Sequence, residues 1–340
     1  MTVSILVPAR DEQDQIIQCL QSLWEQDYPK ELYKVYVIDD HSMDKTAGMV
    51  EDFIKDKPNF SLLRHQKDPV RTTFKKQALK FALQKVNSDV VMTIDADSVA
   101  STSWIKKMVN QYDNDTGLVA GLVTFQPDQE RGLFHKIQTL EFAGIVFCGV
   151  GAIGHDNPLI CNGSNLSYRL QAFKDAGGYQ GNEYLPSGDD DLLLQNFHNK
   201  TSWKIKYSLD PDTINYTIPV DSLSEFLNQR ARWASKSLHY PKKWLFLVMF
   251  AIYVYYVFII FFIPLVIMGL FPWQVYLIGL LLKMIPEALI ISRGLKILGR
   301  RQLRRYFLFA QGFQIVYVLI VGFMGFFNRF SWKGLDGNTV

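Results

Sequence analysis

The sequence has few cysteines and lacks the patterns that usually organise them. Cys19, Cys148 and Cys161 are the only three among 340 residues, and they show no CxxC or Cys/His ligand spacing. This argues against a zinc site and favours a reducing compartment. The first residues also lack a basic stretch followed by a long apolar run, so they do not resemble a signal peptide. We expect the N-terminal body to remain in the cytoplasm.

The first 240 residues also lack the basic surface that a nucleic-acid-binding domain presents. They contain 25 basic and 31 acidic side chains, whereas residues 241–340 contain 11 basic and 2 acidic ones. The acidic body therefore argues against nucleic acid as a partner. The hydrophobic content of 48% excludes a disordered chain.

The basic tail contains three apolar runs of the length that crosses a bilayer, at residues 245–271, 273–291 and 306–327. We predict a catalytic domain over residues 1–240 and an all-α membrane domain of about three transmembrane helices over residues 241–340. The third run also fits a segment that dips into the membrane or lies on it. The loop at residues 293–305 has six basic side chains, so the positive-inside rule places the loop and the body on the cytoplasmic side. We expect an integral protein of a bacterial plasma membrane.

The second apolar run contains two charged residues, Lys283 and Glu287, which lie four apart on one helix face. Charges at this depth are costly and are usually paired or functional. They predict either a self-neutralising pair between helices or a polar element beside the path of a lipid headgroup.

The body alternates between strand-like and helix-like segments. Residues 4–7, 33–38, 60–63 and 90–94 are short apolar runs, while residues 12–26, 46–54 and 75–86 have helical character. This order predicts an α/β fold with a parallel wound sheet. Ligands of such sheets bind beyond the carboxyl ends of the strands, and a polar cluster follows three of these four strands.

Two of those clusters consist of paired carboxylates. Asp95 and Asp97 are two residues apart, so in an extended segment they point the same way and offer oxygen ligands to Mg²⁺ or Mn²⁺. A solvated turn is the alternative. Asp39 and Asp40 end another strand, where they are placed to accept hydrogen bonds from a base or a ribose; the alternative is a cap on the next helix.

A third acidic cluster, Asp189 to Asp191, places three repelling carboxylates in succession. One of them is able to take the proton from an attacking hydroxyl. An acidic surface loop is the alternative.

Gln229, Arg232 and Trp233 share one face of a helix that begins with a capping box, Ser222 to Glu225. Arginine offers a planar charged fork to a diphosphate, and tryptophan offers a stacking surface to a sugar or a lipid. An interfacial helix just before a membrane span is the alternative, and both interpretations can hold together.

Taken in order, seven segments resemble the family 2 glycosyltransferases, which are inverting enzymes of the GT-A fold. The resemblance covers roughly residues 3–240 and implies a Rossmann-like nucleotide-diphospho-sugar transferase domain ahead of the transmembrane segment. The segments are residues 7–12 (VPARDE), 37–44 (VIDDHSMD), 75–79 (KKQAL), 95–97 (DAD), 163–169 (GSNLSYR), 188–190 (GDD) and 229–233 (QRARW).

The resemblance also implies roles for individual residues. Asp190 is the expected base, with Asp189 beside it, and Gln229, Arg232 and Trp233 complete the catalytic set. Asp95 and Asp97 are expected to hold Mg²⁺ or Mn²⁺. Gly163, Ser164, Asn165 and Trp233 are expected at the acceptor or sugar. The residues expected to bind a UDP- or GDP-linked sugar are Pro8, Ala9, Arg10, Glu12, Asp39, Asp40, Lys75 and Asp95.

These features together predict a membrane-bound inverting transferase that moves a sugar to a hydroxyl of a lipid or lipid-linked acceptor. The segment at residues 229–233 is also similar to processive synthases of cellulose, chitin and hyaluronan, so a short-chain polysaccharide synthase is an alternative. Three spans favour the addition of one or a few sugars. A nucleotidyltransferase would release pyrophosphate instead. A non-catalytic membrane protein that binds nucleotide-sugar would turn over no donor.

Overall fold

The computed structural model describes residues 1–65, 75–180, 188–236, 240, 243–327, 329–332 and 335–336. The chain packs as two compact units. The first comprises residues 1–127 and 148–218, and the second comprises residues 128–147 and 219–340. These are units of packing, and the functional boundary near residue 240 stays a prediction.

The first unit contains a seven-stranded sheet in the order β3-β2-β1-β4-β7-β5-β8, and β6 pairs separately with β9. The strands are β1 Val3–Ala9, β2 Tyr33–Asp39, β3 Phe60–Arg64, β4 Val90–Thr93, β5 Thr116–Gly121, β6 Val123–Phe125, β7 Leu166–Arg169, β8 Lys204–Ser208 and β9 Asn215–Thr217. The helices are α1 Ile16–Trp24, α2 Thr46–Ile54, α3 Lys75–Leu83, α4 Trp104–Val109, α5 Leu133–Gly154, which continues from the second unit, α6 Leu170–Asp175 and α7 Asp191–Lys200.

The sheet is mixed, which corrects the expectation of a wholly parallel one. Strands β1 to β4 are parallel as predicted, but β7 runs antiparallel to both β4 and β5. The short turn Gly163–Asn165 enters the sheet beside the end of β4, where the Gly163 carbonyl accepts a hydrogen bond from Thr93. Because β7 starts at the edge where β4 finishes, it has to run back in the opposite direction.

Both faces of the central strands are covered by helices. Ile5 and Leu6, neighbours in β1, are fully buried in two different apolar clusters, the first with side chains of α1 and the second with side chains of α3. Alternate strand residues point to opposite faces of a sheet, so β1 is apolar at almost every position. Each fully buried Leu or Ile side chain contributes about 1.5–3 kcal/mol, and this burial holds the strand ends in place.

The second unit is helical. Besides the first part of α5, it contains α8 Leu223–Ser235, α9 Lys243–Ile267, α10 Trp273–Ile297 and α11 Phe307–Phe326. Among the described residues, four helices are long and apolar enough to cross a membrane, namely α5, α9, α10 and α11 with the turn before it. The three predicted runs are thus confirmed as helices. The helix α9 ends at Ile267, before the predicted end at residue 271, and α10 extends to Ile297, beyond the predicted end at residue 291. Most of α5 is buried, whereas α9 and α10 are largely exposed.

Lys283 and Glu287 form the predicted pair, with Lys283 Nζ 3.0 Å from Glu287 Oε2. Lys283 also donates to Gln311 and to Gln314, and Gln311 donates to Glu287 over 2.8 Å. The lysine side chain is only 7% exposed. Because the charges are neutralised and bonded between α10 and α11, the cluster joins these helices.

Candidate active site

Six of the eight predicted nucleotide-binding residues, all except Lys75 and Asp95, lie at or just after the carboxyl ends of β1 and β2. The two strands are in parallel register from Val3 opposite Tyr33 to Ala9 opposite Asp39. The backbone N–H of Asp40 donates to the Ala9 carbonyl over 2.8 Å. Pro8 lies in β1, and Arg10 and Glu12 follow it, with the Glu12 carbonyl accepting the first hydrogen bonds of α1.

Lys75 connects two of the acidic clusters at this edge. Its Nζ lies 2.5 Å from Asp95 Oδ1 and 3.0 Å from Asp189 Oδ2. Burial by itself would lower the pKa of Lys75, but the Asp189 and Asp95 carboxylates raise it well above its usual value. The lysine therefore remains charged and holds together two carboxylates that are far apart in the sequence.

Gly163 lies against this ion pair. A Cβ atom at Gly163 would lie 2.9 Å from Asp189 Oδ2 and 3.2 Å from Lys75 Nζ. The Gly163 N–H donates to Asp190 Oδ2 over 3.3 Å. The segment at residues 163–165 thus meets all three of these charged side chains.

The three successive aspartates have different environments. Asp189 pairs with Lys75, as described above. Asp190 caps α7, with its Oδ1 accepting the Asp191 N–H over 2.7 Å, and it is half-buried. Asp191 is 2% exposed and accepts the Cys161 N–H over 3.0 Å. Asp191 is therefore a structural residue, and Asp189 and Asp190 remain as the candidates for a base.

Asp95 and Asp97 follow β4 on a turn closed by a hydrogen bond from the Ser98 N–H to the Asp95 carbonyl. Asp97 Oδ1 accepts the Ser98 hydroxyl over 3.1 Å. Both aspartates are half-buried. Two carboxylates offer only oxygen ligands, and this donor set fits Mg²⁺ or Mn²⁺ better than a metal that prefers nitrogen or sulfur.

Ser164 and Asn165 are buried, at 3% and 0% exposure. The Ser164 hydroxyl bonds to Ser98 over 2.7 Å. The Asn165 amide donates to two backbone carbonyls and accepts from the indole of Trp104 over 2.9 Å. In this structure the two side chains position the segment that contains Gly163, and a direct contact with acceptor stays a prediction.

Gln229, Arg232 and Trp233 lie on α8 in the second unit, where the predicted capping box of Ser222 and Glu225 is confirmed. All three side chains are half-buried. The ring of Trp233 lies 6.0 Å from that of Phe142 on α5. This ring contact anchors α8 within its own unit. Gln229, Arg232 and Trp233 each keep part of their surface exposed to solvent.

Sequence reasoning missed the buried network that anchors α8. Arg230 is 3% exposed and pairs with Glu141 of α5, with Nη2 2.5 Å from Oε2 and Nε 3.0 Å from Oε1. The hydroxyl of Tyr317 on α11 donates to the same carboxylate over 2.9 Å. The guanidinium also lies over the ring of Trp233 at 4.3 Å. The available signal was Glu141 itself, an isolated carboxylate in a long apolar stretch.

A sequence model of one protein family matches this chain. The family is described as glycosyl transferase family 2, and the match covers residues 4–176, about half of the chain. Those residues include every candidate described above except the aspartates at 189–191 and the residues of α8.

Two curated relatives are named as synthases, one of a polysaccharide and one of a glycolipid. The chain is 25% identical over 244 residues to a poly-β-1,6-N-acetyl-D-glucosamine synthase of Staphylococcus epidermidis, covering 68% of this chain and 53% of the relative. It is also 25% identical over 237 residues to a β-monoglucosyldiacylglycerol synthase of Trichormus variabilis, covering 68% of this chain and 48% of the relative. The chain spans about half the length of the curated relatives it matches.

One solved structure has a similar fold. It is a mannosyltransferase from Pyrobaculum calidifontis in complex with GDP-Man and Mn²⁺. The TM-score is 0.56 at 16% sequence identity, over 96% of this chain and 87% of that one. The similarity confirms the predicted fold class, a GT-A domain followed by helices that are long and apolar enough to span a membrane.

Proposed function

The chain belongs to glycosyl transferase family 2, and from that premise we propose that it is a membrane-bound, inverting glycosyltransferase. It moves a sugar from a UDP- or GDP-linked donor to a hydroxyl of a lipid or lipid-linked acceptor. The observation that carries the proposal is the meeting of Lys75, Asp95, Asp189 and Asp190 around Gly163. A charged lysine between carboxylates at the strand ends suits a reaction in which a diphosphate leaves.

Asp190 is the proposed general base. It accepts the proton of the acceptor hydroxyl, whose oxygen then attacks the anomeric carbon from the face opposite the diphosphate. Hydrogen bonds from the Gly163 and Asp191 backbone N–H groups hold this carboxylate in place. Lys75 forms ion pairs with Asp95 and Asp189 and is the proposed contact of the diphosphate. The role of Arg232 at the diphosphate rests on its sequence motif.

Asp95 and Asp97 are the proposed ligands of Mg²⁺ or Mn²⁺, and the Pyrobaculum enzyme with its bound Mn²⁺ supports this assignment. When bound, the ion would neutralise charge on the departing diphosphate. Pro8, Ala9, Arg10, Glu12, Asp39 and Asp40 surround the strand ends at which the proposed nucleoside binds.

The proposed acceptor is a lipid at the membrane surface. The similarity to a β-monoglucosyldiacylglycerol synthase and the candidate membrane-spanning helices support it. We propose that the catalytic body faces the cytoplasm, because the basic side chains lie beside the ends of α10 and α11.

A short-chain polysaccharide synthase is the second candidate, favoured by the similarity to the poly-β-1,6-N-acetyl-D-glucosamine synthase. The length of the product distinguishes the two candidates, because a synthase extends its own product.

The test is a screen of UDP- and GDP-sugars with the full-length protein, extracted membrane lipid and either Mg²⁺ or Mn²⁺. Release of nucleoside diphosphate together with a glycosylated lipid supports the proposal, and Asp190→Asn serves as the matched control. Release of pyrophosphate would identify a nucleotidyltransferase instead. Donor binding without any turnover would identify a binding protein. Full activity in excess chelator would remove the metal assignment.

A further inference from the structure

Asp40 lies between two histidines that the catalytic proposal does not use. Strands β2 and β3 are parallel neighbours, with Asp39 opposite Arg64, so the residues after them emerge side by side. The Nδ1 atoms of His41 and His65 each lie 3.1 Å from the same oxygen, Asp40 Oδ1. The two imidazole rings are 5.6 Å apart and inclined at 72°.

The cluster is largely shielded from solvent. The exposed fractions are 4% for the Asp40 side chain, 13% for His65 and 23% for His41. In the described part of the chain, Nε2 of His41 is buried without a hydrogen-bond partner. His41 also has a φ of 64°, in the left-handed region that few non-glycine residues adopt. Such backbone strain persists only where the surroundings fix it.

The geometry matches a coordination shell. One ligand atom from each of the three residues lies within 4.8 Å of the others. Two ligand atoms bonded to one tetrahedral zinc ion at about 2.0–2.2 Å lie roughly 3.3–3.6 Å apart, so the two 3.1 Å separations seen here would have to widen by only a few tenths of an ångström. Two imidazoles and one carboxylate, with a fourth position open, form a donor set that suits Zn²⁺ rather than Mg²⁺. The site is therefore different in chemistry from the oxygen ligands of Asp95 and Asp97.

We propose that Asp40, His41 and His65 bind Zn²⁺, and that Zn²⁺ bound there inhibits the enzyme by blocking the nucleoside end of the donor site. The inhibition rests on the proposed function, because Asp40 is one of the residues assigned to the nucleoside. The metal site itself rests only on the geometry of the three side chains.

The test measures Zn²⁺ affinity of the full-length protein by competition with a chromophoric chelator. It uses the Asp97→Ala background, so that the proposed oxygen site does not contribute. His65→Gln and His41→Asn each remove an imidazole, and asparagine tolerates the left-handed backbone at position 41. Each change should weaken Zn²⁺ binding by at least about 10–100-fold, since even residues that only support a metal ligand contribute that much. His198→Gln on α7 is the control and should bind Zn²⁺ like the parent protein.

Unchanged Zn²⁺ affinity in both His65→Gln and His41→Asn would overturn the site and leave the imidazoles as hydrogen-bond partners of Asp40. A second measurement titrates UDP and GDP with and without Zn²⁺, using a protein with Asp97 intact. Zn²⁺ should raise the apparent dissociation constant of the nucleotide in the wild-type protein and much less in His65→Gln. Equal nucleotide binding with and without Zn²⁺ would overturn the inhibition. If no sugar donor is turned over, the catalytic proposal fails while the chelator competition still decides the metal site.

Discussion

Asp190 is the residue on which the proposed chemistry most directly depends. Asp190→Asn preserves the shape of the side chain and the oxygen that caps α7. It loses only the longer hydrogen bond, 3.3 Å, from the Gly163 N–H, so the fold and donor binding should be kept. Turnover should fall by about 10²–10⁴, the usual contribution of a positioned proton acceptor. Steady-state kinetics and nucleotide binding are the measurements. A near-normal kcat would transfer the role to Asp189, the other aspartate left by the geometry.

A second prediction concerns Gly163, where a substitution would add a single Cβ atom beside Asp189. Gly163→Ala adds a Cβ 2.9 Å from Asp189 Oδ2, which is held by Lys75. The carboxylate must move, so we expect turnover to fall roughly 10–100-fold, the scale of a small misplacement in a catalytic group. The variant's kcat is compared with that of Gly48→Ala, where an added Cβ meets nothing within 4 Å. Equal kcat values in the two variants would show that the spacing around Gly163 is not needed.

At the scale of elements, the Arg230–Glu141–Tyr317 network joins α8 to α5 and α11. Glu141→Gln leaves the Arg230 charge buried without its counter-ion, and breaking such a pair lowers stability by about 3–5 kcal/mol. We expect a clearly lower melting temperature in detergent and a smaller decrease for Tyr317→Phe. Asp115→Asn, which removes an exposed ion pair with Lys204, should melt like the wild type. A Glu141→Gln protein as stable as the Asp115→Asn control would contradict the network's structural role.

The loop between α10 and α11 gives a prediction about topology. Arg301, Arg304 and Arg305 in this loop and Arg293 and Lys296 in the last turns of α10 are all exposed, and basic segments of this kind stay in the cytoplasm. A cysteine introduced at Arg301, in a chain with its native cysteines replaced, should resist membrane-impermeant thiol reagents in intact cells and react after lysis. Labelling of intact cells would invert the topology and place the body outside.

The elements also show what was and was not readable from the sequence. Short apolar runs predicted the first four strands, and long uncharged apolar runs predicted the three C-terminal helices. Both patterns are local, because they depend on which side chains of a segment avoid water. The direction of β7 depends on where the turn at Gly163 meets β4, which is a long-range relation. The partner of Arg230 was hidden for the same reason, since Glu141 lies 89 residues away. The motif identified Lys75, but the carboxylates it joins became visible only in the fold.

At the scale of the whole molecule, the carboxylates and Lys75 belong to the first unit, while α8, α9, α10 and α11 belong to the second. Shortening the chain near residue 236 is therefore a poor test of what the apolar helices do. In the second unit, Phe226 of α8 is fully buried against Tyr317 and Val321 of α11. A shortened chain would expose this ring, so lost activity would report lost packing. The intact protein in different surroundings is the better comparison.

The last prediction compares the full-length protein in detergent micelles and in lipid bilayer discs. Donor hydrolysis to water needs only the donor site, so its rate should be similar in the two settings. Transfer to a membrane lipid should be about tenfold or more faster in the discs, because we expect the bilayer to confine and orient the acceptor near the proposed catalytic carboxylates. Hydrolysis and lipid glycosylation are measured on the same samples. Asp190→Asn should lose transfer in both settings, which ties the product to this site. If lipid is glycosylated at equal rates in micelles and discs, the bilayer does not present the acceptor. If transfer to a soluble sugar is faster than transfer to lipid, a soluble acceptor is favoured.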